Sequence, residues 1–309
     1  MTALGSLRRR LFGIPAPRKV FSKPGFAPEA WQRFAPVAES LALGYNATLE
    51  DCSAPVLDVR LQAVDRAFRG FAYEGVGMGL AALDLMTPWK KRLGAFVDGP
   101  GGPHIYTVYV GVGLALARLR RRPERYLGEL DPLLGWAIVD GYGFHGGFFE
   151  RRRYITTKVR PTQLSSKCRP LFDQGLGRAI WFSSGAVVDR AAETVVGFQT
   201  DRHGDLWNGV GMACAYGGGT DRAGLEQICE VADAYRDRLA WGAATAAWTR
   251  ELAGNQTAHT NLACEVFIGI SSDDAARVLR EGRREVAGSA SSAPIQAWRS
   301  HFAATVATA

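Results

Sequence analysis

Eight ionisable or amide side chains sit within stretches of this sequence that are otherwise too apolar to face water: Glu74, Asp140, His145, Asp173, Gln174, Arg178, Asp205 and Asn208. Four of them, Glu74, Asp140, Gln174 and Asn208, immediately precede a Gly-x-Gly pair, and Val110 holds that place in a fifth copy. A buried, unpaired charge is costly, so acids at such places must pair, titrate or meet a ligand. A carboxyl in low dielectric has a raised pKa and suits proton transfer near neutral pH. Glu74, Asp140, His145 and Asp173 are therefore the candidate acid–base groups, expected to line one internal pocket. Arg178 is placed to hold an anionic group or to tune an acid. The structural alternative is that these side chains cap helices or close turns, which fits Asp205 best. Asp140 and His145 are five residues apart and not on one helical face, but the glycines between them would allow a bent segment to bring them together. A hydrogen-bonded core histidine is an equal reading of His145.

The same stretches are rich in aromatics. Tyr73, Tyr109, Tyr142, Phe144, Trp181 and Trp207 are candidates for contact with a hydrophobic, conjugated ligand; filling a helical core is the ordinary alternative. There is no His-x-x-x-His, Glu-x-x-His or Cys-x-x-Cys, so no metal site is expected. A Gly-x-Ser-x-Gly elbow and a phosphate loop are also missing. The glycine pairs lack the strand–turn–helix setting and the downstream acid that a dinucleotide site requires. No cofactor is expected.

The elements that would position these residues recur. The first glycines of the pairs stand at 75, 111, 141, 175 and 209, steps of 36, 30, 34 and 34 residues. That spacing accommodates two packed helices with their turns. The expected fold is all-α: degenerate helical-hairpin repeats, solenoid or toroid-like, with glycine-rich inner helices and amphipathic outer ones. A helical glycine costs about 1 kcal/mol relative to alanine. Its recurrence implies close approach of backbones, with no room for a side chain at Gly77, Gly113, Gly177 and Gly211. A first helix should run from Pro28 to about residue 43 and end at Gly44. Residues 154–159 read as a strand or an extended loop. Pro15, Pro17, Pro24 and Gly25 make residues 1–25 a basic arm, 26–288 a single helical repeat domain, and 289–309 a loose tail.

Composition bounds the function. The chain is 47% hydrophobic and 22% charged with a net charge of +7. Residues 1–40 carry +5 of this, which leaves the body nearly neutral and argues against nucleic acid as a partner. The arginine runs at 120–122 and 151–153 read as solvated helix ends, or as a contact for an acidic partner or carrier. Five irregularly spaced cysteines fit reduced thiols and a cytoplasmic location. No run approaches the roughly 20 apolar residues of a membrane span, so integral membrane association is not expected. A peripheral contact through the basic arm, Leu11 and Phe12 stays open.

The segments Phe71-Ala-Tyr-Glu-Gly-Val-Gly-Met-Gly-Leu-Ala-Ala-Leu-Asp84, Asp140-Gly-Tyr-Gly-Phe-His145, Phe172-Asp-Gln-Gly-Leu-Gly-Arg178 and Asp205-Leu-Trp-Asn-Gly-Val-Gly-Met-Ala-Cys-Ala-Tyr-Gly-Gly218 resemble a bacterial enediyne-biosynthesis family encoded beside iterative enediyne polyketide synthases. The resemblance carries no catalytic residues with it. It implies work on a hydrophobic polyene or polyyne intermediate, with the polyketide synthase as a candidate partner. The expected function is a cofactor-independent enzyme of enediyne or related polyketide biosynthesis, using acid–base isomerisation or cyclisation. The alternative is a non-catalytic protein that binds, shields or carries the intermediate, or a scaffold for the synthase.

Overall fold

The computed structural model describes residues 3–287 and 294–307 of the chain, and every regular element among them is helical. In order these are α1 (Ala3–Phe12), α2 (Pro17–Phe21), α3 (Pro28–Glu50), α4 (Ala54–Gln62), α5 (Arg69–Met86), α6 (Arg92–Val97), α7 (Ile105–Arg118) and α8 (Ala137–Phe149). They continue as α9 (Arg169–Ser183), α10 (Val188–Val196), α11 (Thr200–Gly217), α12 (Arg222–Ala232), α13 (Arg236–Leu252), α14 (Ala258–Ile268), α15 (Ser272–Ala287) and α16 (Pro294–Val306).

Seven helices form the interior. α3, α5, α7, α8, α9, α11 and α13 pack one onto the next in chain order. Apart from α3, which keeps Gln32, Arg33, Pro36, Glu39 and Leu43 exposed on one side, and the polar first turns of α11 and α13, they are largely buried, as helices without a continuous polar face should be; α5 is buried without a break from Gly70 to Ala81. The glycine pairs make this packing possible. At each of the six interfaces, two glycines face carbonyl oxygens of the partner helix. A β-carbon on Gly77 would overlap the Val108 carbonyl, and one on Gly111 the Glu74 carbonyl. The pattern continues with Gly113 on Ile138 and Gly141 on Val110, Gly143 on Phe172 and Gly175 on Asp140, and Gly177 on Leu206 and Gly209 on Gln174. It begins with Gly44 on Ala72 and Gly75 on Leu41, and ends with Gly211 on Leu239 and Gly242 on Asn208. The first glycine of each pair faces the helix behind it and the second faces the helix ahead. Cα–H groups set against carbonyls at this distance return part of what helical glycine costs.

Several local expectations change. Gly44 does not end α3, because its missing side chain is used for packing against Ala72 and the helix runs on to Glu50. Residues 152–156 are a π-helical turn rather than a strand. The basic arm is not a free arm: α1 lies along α3, with Gly5 against the Glu50 backbone and Arg9 paired to Glu50. Its prolines fall between α1 and α2, at the first turn of α2, or between α2 and α3, where they break nothing. In the expected tail, residues 289–293 and 308–309 lie outside the described residues, while α16 is packed. Its Trp298 is 1% exposed and meets Trp241 and Trp248 edge-on at 5.5 and 5.4 Å.

Candidate functional site

Helix α9 sets the site. Its turn Gln174–Arg178 lies where α8 and α11 press against it through Gly175 and Gly177, and its polar side chains meet partners from three neighbours, α5, α8 and α11. Arg178 Nη1 donates to Asp140 Oδ1 of α8, and its Nη2 lies 3.8 Å from Glu74 Oε2 of α5. Gln174 Nε2 donates to Asp140 Oδ2 at 2.7 Å, and Asn208 of α11 donates to Gln174 Oε1 at 2.8 Å. Tyr106 of α7 donates to Met212 Sδ at 3.2 Å beside this chain. Of the side chains that precede four glycine pairs, Glu74 and Asp140 meet one guanidinium, and Gln174 and Asn208 extend the chain of contacts from Asp140. All are buried, Asp140 completely.

The charges do not balance. One guanidinium faces two carboxyls. Burial pushes the Glu74 pKa up to about 7; Arg178 opposes this and Asp140 reinforces it. Burial also raises Asp140, against the direct pairing with Arg178 and the Gln174 hydrogen bond. Burial works against the Arg178 charge, yet Asp140 and Glu74 together hold its pKa above the ordinary value. The consistent state near neutral pH is an Asp140–Arg178 ion pair with Glu74 as the group that gains and loses the proton.

Glu74 and Arg178 also face open space. They line an apolar cavity of about 890 Å³ of non-atom space, mouth included, together with Phe71, Met78, Leu114, Phe144 and Phe182. The mouth is formed by residues from α1–α2 and by the ends of α7 and α8. A smaller space of about 290 Å³ lies on the other side, walled by Tyr106, Val110, Met212 and Tyr216. Phe71, Glu74, Arg178 and Phe182 line both spaces. Phe144 closes the guanidinium face, its ring 5.2 Å from the Arg178 carbon.

The remaining candidates divide. His145 lines the larger cavity, with Nδ1 buried and without a hydrogen-bond partner and Glu150 Oε1 at 4.0 Å. Burial, then the Arg118 charge, depresses its pKa to about 4, so it is a neutral imidazole at physiological pH. The expected convergence with Asp140 does not occur: α8 is a continuous helix and keeps the two on different faces. Asp173 does not join the pocket. It pairs with Arg202, whose Nε donates to Oδ2 at 2.8 Å and whose Nη1 donates to the Lys158 carbonyl at 2.9 Å. Asp205 is held near Arg238 and Arg299 at 3.5 and 3.9 Å.

Of the six aromatics expected to contact a ligand, Phe144 alone lines the cavity. Tyr73 stacks on His104 at 3.7 Å in a separate cluster with Phe96 and Val108. Trp181 donates to the Gly218 carbonyl at 2.9 Å. Tyr109 and Trp207 are core, and Tyr142 packs near Phe172. Phe71, Leu114, Phe182 and the arm residues Val20 and Phe21 line the cavity instead. The five-residue step from Phe144 to Phe149 and the Phe182 position carried no sequence signal that distinguishes cavity wall from core.

Among the described residues no group of three or more His, Cys, Asp or Glu could hold a metal ion. Gly141, Gly143 and Gly146 have the spacing of a dinucleotide fingerprint, but they lie inside α8, with no strand before them and no free backbone N–H groups to cradle a phosphate. No described helix is long and apolar enough to cross a membrane.

Fold and site together define an all-α protein in which Glu74 and Arg178 stand on the wall of an apolar cavity; Asp140, expected to line it, lies behind Arg178 as its counter-ion and does not reach the space. The model of a family described as protein of unknown function (DUF1702) matches residues 3–306, and the chain belongs to that family. No curated protein and no solved structure matches it.

Proposed function

We propose that the protein is a cofactor-independent enzyme that moves a proton on a hydrophobic, conjugated ligand, with Glu74 as the acid–base group. The observation that carries this reading is Glu74 itself: a carboxyl 2% exposed, with a pKa near 7, on the wall of an otherwise apolar cavity. A group poised at the working pH both accepts and donates a proton efficiently. Arg178 and Asp140 position and tune it, and stabilise an anionic intermediate such as a dienolate as charge develops. His145 offers a neutral hydrogen-bonding edge at the mouth. A concave, apolar lining with a few convergent polar groups suits an apolar ligand.

The sequence resemblance extends the reading to a polyene or polyyne intermediate of enediyne or related polyketide biosynthesis, with isomerisation or cyclisation as the step and a polyketide synthase as candidate partner. Reduced cysteines agree with a cytoplasmic location. We also read the interior helices as degenerate copies of one helix-pair unit; the same two glycine contacts at six interfaces support that reading.

The test is incubation of purified protein with the linear polyene released by an iterative polyketide synthase, followed by product mass and ultraviolet spectrum. Wild-type protein should convert it. Glu74→Gln should fold, bind and not convert. Tight binding of an unchanged polyene by wild type would replace the enzyme with a carrier.

A further inference from the structure

The surface around the mouth of the larger cavity differs from the rest of the molecule. Three separate segments meet there. The α1–α2 stretch lends Pro15 and Pro17 to the lining, the end of α7 lends Arg118, and the end of α8 lends Phe149. Tyr45 ties the first two together: it donates to the Phe12 carbonyl at 3.0 Å and feels the charge of Arg118. Arg151, just past α8, lies over the Phe26 ring at 5.1 Å.

Segments 7–19, 118–122 and 149–153 hold twelve Arg and Lys residues against one acid, Glu150, a net +11. The whole chain is +7, so all other residues together carry −4. Arg9 pairs with Glu50, and Arg153 meets Glu150 at 3.9 Å. Arg18, Lys19, Arg121 and Arg122 are exposed. The same segments expose large apolar side chains: Leu7 at 52%, Leu11 at 63%, Phe12, Leu119 and Phe149. Leu7 and Leu11 stand one turn apart on α1, so they share a face.

Arginines interleaved with exposed leucine and phenylalanine are what a helix lying in a lipid interface presents. An acidic soluble partner would account for the charges but not for the apolar tips. We propose that this face docks on an anionic lipid bilayer, with Leu7, Leu11, Phe12, Leu119 and Phe149 entering the acyl boundary and the arginines meeting lipid phosphates. The cavity then opens towards the membrane, and its ligand is a molecule that partitions into lipid. The inference is independent of any chemistry at Glu74, because it concerns the route by which an apolar ligand reaches the cavity.

The test is co-sedimentation of the full chain with vesicles of phosphatidylcholine alone and of equal parts phosphatidylcholine and phosphatidylglycerol. Binding is expected to the anionic vesicles only, and added salt should reverse it. The double variant R121E/R122E should bind more than tenfold more weakly, since each basic residue near an anionic surface contributes about fivefold. L7S/L11S should also weaken binding, by about tenfold or more from the lost apolar contact. Neither pair touches the Glu74–Arg178 cluster, and unchanged thermal melting serves as the folding control. If one pair misfolds, the other still decides. Protein that stays in the supernatant with anionic vesicles at low salt would overturn the proposal. So would binding that falls with R121E/R122E but ignores L7S/L11S, because the apolar side chains would then not enter the bilayer.

Discussion

Two buried arginines, Arg178 and Arg202, share the same stretch of interior and differ in one count. Arg202 meets one carboxylate, Asp173, and also donates from Nη1 to the Lys158 carbonyl. Arg178 meets two carboxyls, Asp140 and Glu74. The first cluster is balanced and lies away from the cavity. The second has one acid too many, and its Glu74 and Arg178 stand on the cavity wall. Burial alone does not make a site, since both clusters are buried. What distinguishes them is a proton that must be shared near neutral pH and open space beside it. Buried ion pairs add little net stability but are expensive to break, so the Arg202 cluster is best understood as a clamp between α9, the turn at 158 and α11.

The comparison rests on α9 carrying both clusters on fixed faces, and the most severe test attacks that. Gly177→Leu places a side chain into the Leu206 carbonyl of α11. Overpacking and strain at an unyielding backbone should cost more than about 3 kcal/mol, seen as loss of soluble expression or a large drop in melting temperature. A variant that melts like wild type would show the close contact to be wrong.

Breaking the clamp comes next. Arg202→Met leaves Asp173 buried without its cation and should cost about 3–5 kcal/mol, read by denaturant unfolding. Ligand affinity of the folded fraction should not change. If affinity falls with stability, the two clusters are not separate.

Glu74→Gln should act through pH. The folded pKa of Glu74 is raised from 4.5 to about 7. Its proton therefore stabilises the native state fully below pH 4.5, and that contribution is lost as pH rises through 7. The window corresponds to about 3 kcal/mol at 1.36 kcal/mol per unit. Relative to wild type, Glu74→Gln should gain stability by about that amount between pH 4.5 and pH 8, measured by unfolding across the range. A difference that does not vary with pH would mean that Glu74 does not hold the proton.

The smallest effect compares two isosteric changes. Asp173→Asn removes the carboxylate partner of Arg202, whereas Asp140→Asn leaves Arg178 with Glu74 as counter-ion. Asp140→Asn should therefore be milder, by about 1–3 kcal/mol in unfolding free energy. The Glu74 pKa should also fall, because the Asp140 charge that raises it is gone.

Legibility varied with the physical scale of each feature. The glycine pairs announced helices in contact, because two glycines per helix at a period near 34 have few other uses. The polar side chains before the pairs were visible as misfits in apolar runs, and Glu74, Asp140, Gln174 and Asn208 do form one chain of contacts. Asp173 was equally conspicuous. It differs from Gln174 by one residue, about 100° of helical turn, and that rotation sends it to Arg202. Tyr73, Trp181 and Trp207 carried the same aromatic signature as Phe144, and only packing separates core from cavity wall. The arm misled because prolines stop helices without stopping segments from docking: Pro15 and Pro17 frame the cavity mouth.

By itself the sequence determined that the protein is helical, which helices lie inside, and where their backbones touch, because periodicity and glycine act locally. It also supplied the surplus acid. Only the tertiary structure decided which acid titrates. That depends on distances to one guanidinium contributed by a helix about a hundred residues away, and on the empty space beside it. Charge balance and cavity shape are sums over all neighbours at once, and no single stretch of chain contains them.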